Sequence, residues 1–188
     1  MAGNETCVKN TGLKRRDDMK LYLSPNGRIA QPTYWQAVII LLVISVVLTV
    51  LSAYSSPFIG FLSILLIWPW IAVHVKRFHD AGKTGWLTVA MVVLAFIVSL
   101  IAGLILPPIF GVDMAGMQAE MQRDMEDMAA SNDPAAMMAA TMEHSRRIAQ
   151  ASLIPNILAS VLSVGVVGIV MGLFKSDPNE NQYGPPTV

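Results

Sequence analysis

Four long apolar runs, Gln36–Ala53, Phe58–Val75, Trp86–Leu106 and Leu153–Phe174, contain no Asp, Glu, Lys or Arg. Nothing else in the chain restricts its folding as severely. A helix crossing a hydrocarbon core of ~30 Å needs about 20 apolar residues, and each run has that length or falls within reach of tilt and snorkelling. A single charge at the middle of such a helix costs about 2.5–3.5 kcal/mol on insertion scales, so uncharged runs are what a bilayer demands. Soluble core helices seldom grow this long without a polar face. The composition, 54% hydrophobic and 14% charged, is likewise too apolar for an ordinary soluble domain. The sequence therefore predicts an all-α integral membrane protein with four transmembrane helices. Tyr54-Ser55-Ser56-Pro57 joins the first two as a short hairpin turn.

Lys and Arg orient the spans. Lys9, Lys14, Arg15, Arg16, Lys20 and Arg28 precede the first, Lys76, Arg77 and Lys83 lie between the second and third, and Lys175 follows the fourth. The Tyr54–Pro57 turn has no charge, and the long Pro107–Ser152 connection sets Arg123, Arg146 and Arg147 against seven acids. By the positive-inside rule both termini and the Arg77 loop face the cytoplasm, and the long connection faces the periplasm or exterior. Three segments follow: a polar, disordered cytoplasmic tail at 1–26, a four-helix membrane domain at 27–174 that includes an exterior helical loop at 107–152, and a cytoplasmic tail at 175–188. Met1 to Asn26 has no apolar core before a small-residue cleavage site, so the first span is expected to act as an uncleaved targeting signal, and Met19 is an alternative start. Met1–Asp18 carries mixed charge without an apolar period, which is the pattern of disorder. Cys7, the single cysteine, cannot form an intrachain disulfide and is read as inert. The basic residues are too scattered for a nucleic-acid groove. Trp35, Trp70 and Trp86 fall at span ends, where indole prefers the headgroup region, whereas Trp68 lies inside its span and is assigned to packing.

Gly27-Arg28-Ile29 with Tyr34-Trp35, then Lys76-Arg77-Phe78-His79-Asp80 and Gly82-Lys83-Thr84-Gly85-Trp86, resemble the bacterial inner-membrane family catalogued as domain of unknown function 805. The tail Asp177–Pro186 is similar to that family's Asn- and Gly-Pro-containing end. The resemblance implies an inner-membrane location and a compact helical bundle, and it brings no reaction with it.

Gly82-Lys83-Thr84 invites a phosphate-loop reading, but a Walker A loop needs glycine where Arg77 stands, and no strand precedes it. Gly82 and Gly85 are read instead as turning the chain, with Trp86 anchoring its return into the third span. His74 and His79 are five residues apart, on different faces of a helix, unlike an i, i+4 metal pair. Under the assigned topology, Arg28, Arg77, His79, Asp80, Lys83, Asn181 and Tyr183 converge on the cytoplasmic face. Two readings fit them: positive-inside anchoring with attraction to anionic headgroups, or a docking site for a partner.

Met114, Met117, Met121, Met125 and Met128 recur at spacings of three and four, one stripe of a helix. Asp133 is then a natural N-cap with Pro134 in the first turn, so the exterior connection reads as a Met-rich helical hairpin inserted between transmembrane helices 3 and 4. Thioethers suit copper(I), which makes Met117, Met121, Met125 and Met128 the metal candidates. The commoner use of such a stripe is an adaptable packing face. Ala95, Ser99 and Gly103, and Gly168 with Gly172, repeat every four residues and are expected to pack within the bundle. Pro69 and Pro155 are expected to kink their helices.

No nucleophile–base or metal constellation can be assembled, so no enzyme and no cofactor are expected. The spans hold no carboxylate for ion-coupled transport. The sequence favours a non-enzymatic scaffold or regulator acting through its cytoplasmic face or exterior helices. A small transporter or channel subunit, or a copper(I)-binding envelope protein, stand as alternatives. Its expected partners are the lipid bilayer and a protein partner or a second copy of the chain, with no nucleic acid.

Overall fold

A computed structural model describes residues 19–131 and 133–187. Cys7, Lys9, Lys14, Arg15, Arg16 and the expected disorder of Met1–Asp18 lie outside the described residues. In chain order the elements are α1 (Gln31–Tyr54), a 3-10 helix (Pro57–Leu66), α2 (Ile67–Asp80), α3 (Leu87–Ile109), α4 (Met114–Ser131), α5 (Pro134–Ala151) and α6 (Leu153–Leu173). Every one is helical, and there is no strand among the described residues. Four segments, Gln31–Tyr54, Pro57–Asp80, Leu87–Ile109 and Leu153–Leu173, are long and apolar enough to cross a membrane. Their sides present Phe96, Leu104 and Leu65 at 68–70% exposure. Apolar surface on that scale suits lipid and not water. The chain is a multi-pass membrane protein by these features.

Residues 19–23 are helical, which corrects the expectation of a wholly disordered tail through residue 26. Two side chains of α2 hold this turn: the Lys76 ammonium donates to the carbonyls of Lys20 and Leu21, and the Trp68 indole N–H donates to Leu23 O at 2.8 Å. Trp68 is therefore a hydrogen-bonding residue at 49% exposure, and packing does not account for it.

The two prolines expected to kink their helices both stand in the first turn of an α-helix. Pro69 stands third in α2 and Pro155 third in α6, positions at which an α-helix tolerates proline. The prolines open these helices. Ahead of Pro69 the second span is wound as the 3-10 helix Pro57–Leu66.

The chain divides into two compact units. Among the described residues the first comprises 19–41, Leu65–Val92 and 167–187. Gly168 here lies against the Trp35 indole, so closely that a Cβ would collide with the ring, and Gly172 faces the Gln31 amide. The small faces of α6 thus pack against α1. At the end of α2 the amide of Gly82 donates to His79 O at 3.1 Å and that of Lys83 to Phe78 O at 2.9 Å, while Gly82 has φ of +67°. These two bonds and the left-handed residue make a Schellman cap, which is what the phosphate-loop lookalike is for. Gly85 serves a close approach, since a Cβ there would stand 2.7 Å from Val75 Cγ1 and 3.1 Å from His79 Nε2. Gly82→Val and Gly85→Val are each expected to reduce the yield of folded protein, whereas Lys83→Ala, an exposed side chain, should leave it unchanged. Size-exclusion profiles of the three variants check this.

The second unit comprises Leu42–Ile64 and Val93–Val166. In it α4 and α5 pack together as a helical hairpin. Asp133 caps α5, its carboxylate accepting from the amides of Ala135 and Ala136 at 2.9 and 3.2 Å, with Pro134 in the first turn as the sequence indicates. Arg146 and Gln150, one turn apart on α5, donate to Tyr54 O and Ala53 O at 2.9 and 3.0 Å and so satisfy the last carbonyls of α1. Ser163 of α6 donates to Ala95 O at 3.1 Å. Ser99 and Gly103, in contrast, are exposed, and only 6% of the third span's most apolar window is buried. The expectation that the Ala95, Ser99 and Gly103 stripe packs within the bundle is thus corrected beyond Ala95.

Candidate functional site

Arg28 precedes α1, Asp80 ends α2, and residues 174–187 leave α6. The first unit brings all three segments together around the Asp80 carboxylate. Oδ1 accepts from Arg28 Nε at 3.3 Å and from Thr187 Oγ1 at 2.6 Å. Oδ2 accepts from Arg77 Nη1 at 2.5 Å and from Ser176 Oγ at 2.6 Å. A carboxylate offers about four lone-pair sites, and here four donors occupy them. The side chains of Arg28, Arg77 and Asp80 are 1%, 0% and 0% exposed, so two guanidiniums and one carboxylate are buried as a triad.

The surplus positive charge lies where helix ends supply partial negative charge. Arg77 Nη2 donates to Phe174 O, the first carbonyl after α6, at 2.5 Å. Arg28 Nη2 donates to Asp80 O at 3.2 Å and to Asp177 O at 2.5 Å, and Nη1 donates to Asn179 O at 2.8 Å and Gly184 O at 3.2 Å. Cations at helix C-termini meet unpaired carbonyls and the negative end of the macrodipole, worth up to about 2 kcal/mol where partly buried. Arg28 caps α2, Arg77 caps α6, and Lys76 caps the 19–23 turn. These three basic residues thus make internal contacts, which displaces the reading in which Arg28 and Arg77 attract headgroups.

The tail is fastened at further points. Asp177 N donates to Asp80 O at 2.7 Å, and Asn181 Nδ2 donates to His79 O and to Asp177 Oδ2, each at 3.2 Å. The Asn179 backbone N–H and the Asn181 amide, helped by Arg28, hold the Asp177 carboxyl below the usual carboxylate range. The rings of His79 and Tyr183 stack at 3.6 Å and 5°, and His79 Nδ1 donates to Gly27 O at 3.2 Å. Six of the seven residues expected on this face therefore meet: Arg28, Arg77, His79, Asp80, Asn181 and Tyr183. Lys83 stands apart, exposed, its ammonium 5.7 Å from the Phe174 ring centroid.

The sequence reading missed Lys76, Ser176, Asp177 and Thr187. It also missed a buried Tyr34–His74 pair, in which Tyr34 Oη donates to His74 Nε2 at 3.3 Å and His74 Nδ1 donates to Trp70 O at 2.7 Å. That pairing fixes the His74 tautomer and uses both ring nitrogens.

The methionine candidates lie in the second unit. Met117, Met121, Met125 and Met128 are half-buried, while Glu120, Asp124, Glu126 and Asp127 are exposed. The Thr141 hydroxyl on α5 donates to Met125 Sδ at 3.4 Å. His144, 6% exposed, donates from Nε2 to Met117 O at 2.7 Å. From α5, Thr141 thus reaches the Met125 thioether and His144 the Met117 carbonyl. Among the described residues no group of three or more His, Cys, Asp or Glu is placed to hold a metal ion.

No curated protein and no solved structure matches the chain. A family match does span nearly all of the described residues, from before Arg28 to beyond Tyr183. Over residues 22–185 the chain belongs to the family described as Protein of unknown function (DUF805).

Proposed function

We propose that the protein is a non-enzymatic scaffold or regulator of the bacterial inner membrane, with both termini and the Lys76–Gly85 loop in the cytoplasm. The saturated Asp80 carboxylate carries this reading. The densest polar cluster among the described residues locks three segments to one another and leaves no acid, base or nucleophile aimed at a substrate. The meeting of residues 27–28, 79–80 and 176–187 supports a shared side of the membrane for them, and the Lys and Arg bias supports the cytoplasm as that side. Arg146 and Gln150 bonding to the end of α1 supports a common exterior side for the Tyr54 turn and the Met-rich hairpin. Partner recognition then falls to the exposed acids of α4, because the cytoplasmic cluster is occupied internally. The bilayer is the environment, and the partner is a protein or a second copy of the chain.

In a Cys7→Ser background, a membrane-impermeant maleimide applied to intact cells should label Gln118→Cys on α4 and spare Thr84→Cys. Labelling of Thr84→Cys overturns the topology. A protein that co-purifies from native membranes should be lost when Glu120, Asp124 and Asp127 are changed to Lys and kept in Lys83→Ala. The opposite pattern moves docking to the cytoplasmic face.

A further inference from the structure

Ile71 and Val75 of α2, with Val89 and Val92 of α3, line a cleft of about 570 Å³ in the first unit. That lies within the ~300–1,000 Å³ range of sites that hold small molecules. Its lining changes character along its length. The four aliphatic side chains come at helical spacing, and the same two helices lead to a rim of His79, Thr84, Trp86 and Tyr183. Both helices belong to segments long and apolar enough to cross a bilayer, so lipid is the solvent around the cleft.

The rim offers hydrogen-bond donors. The Trp86 indole can only donate and is 81% exposed, and Thr84 and Tyr183 add hydroxyls. Thr88 also lines the cleft, 5% exposed, and its enclosed hydroxyl oxygen has no hydrogen-bond partner among the described residues. A buried unpaired hydroxyl costs about 1–3 kcal/mol, which turning the Thr88 side chain toward an acceptor in the cleft would recover. The matching occupant is an amphiphile, apolar along its body and rich in acceptor oxygens at one end. We propose that the cleft seats one acyl chain of a glycerophospholipid, with its ester oxygens at the Thr84–Thr88 end. Indole at the headgroup level and aliphatic walls below reproduce the polarity profile of the bilayer itself.

The test uses the full chain reconstituted with a phospholipid that carries a diazirine at the end of one acyl chain. Photo-adducts are expected to concentrate on the peptides holding Ile71 and Val92. In detergent, native mass spectrometry should find one retained phospholipid per chain. Val89→Trp, which fills the cleft, should lose it, and Thr88→Val should weaken retention. Ile39→Trp, at a lipid-exposed position on α1, should keep it. Adducts spread evenly over the exposed faces of the spans overturn the proposal without reference to any variant. Equal retention by the unaltered chain, Val89→Trp and Thr88→Val overturns it as well.

Discussion

Asp80→Asn is expected to cost ~3–5 kcal/mol of stability, the loss typical when one partner of a buried ion pair is removed. The amide nearly preserves the shape, but it leaves Arg28 and Arg77 buried with no anion. Its nitrogen also brings donors to a place already supplied by Ser176 and Thr187 hydroxyls. Denaturation in detergent, beside the unaltered protein and Lys83→Ala, measures the difference. The surface variant should be close to neutral. If Asp80→Asn unfolded normally and instead lost a bound partner, the cluster would be a docking site and the internal lock would be refuted.

Changing Met117, Met121, Met125 and Met128 together to Asp is expected to separate α4 from α5. The four residues are half-buried on a helix that packs against α5, and an unpaired carboxylate placed there loses solvation without gaining a partner. Circular dichroism and limited proteolysis should report an opened hairpin. Leu at the same four positions should leave it closed, because Leu is apolar and helix-favouring. Leu has no thioether, so the quartet also separates packing from copper chemistry. The Thr141 bond to Met125 Sδ and the His144 bond to Met117 O already tie the two helices together. Copper(I) titration of the whole protein against a competing chelator is expected to show no difference between the native and Leu forms. Tight binding by the native form that is lost with Leu would contradict a packing role.

The four spans were legible because a bilayer permits so few alternatives: twenty uncharged apolar residues have little else to be. The Met spacing was legible as that of one helix face, and Met114, Met117, Met121, Met125 and Met128 share the half-buried side of α4. Helix starts were harder to read. The apolar run begins at Gln36 while α1 begins at Gln31, since a first turn needs a tolerated Pro32 more than it needs apolar residues. That Pro69 and Pro155 stand in first turns was not legible, because apolarity alone does not mark where an α-helix begins. Ser99 and Gly103 were misread because small residues permit close packing without compelling it.

The residues around Asp80 were found by following the topology, which brings Arg28, Arg77 and Asn181 to one side. Their use was not visible. Whether a cation faces headgroups or caps a carbonyl depends on which backbone oxygens lie within reach, and Phe174 O, Asn179 O and Gly184 O are set by tertiary structure. Ser176 and Thr187 had no signal at all, being single hydroxyls in a polar tail.

Hydrogen exchange over residues 176–187 tests most directly whether the buried triad locks the tail. The Asp177 amide donates to Asp80 O at 2.7 Å, and the amides of Asn181 and Gly184 exchange bonds with each other's carbonyls at 3.2 and 3.0 Å. In the unaltered protein these amides should be protected about as well as those at the end of α2, and Asp80→Asn should release them together. Exchange of the tail at the rate of a free peptide in the unaltered protein would contradict the lock.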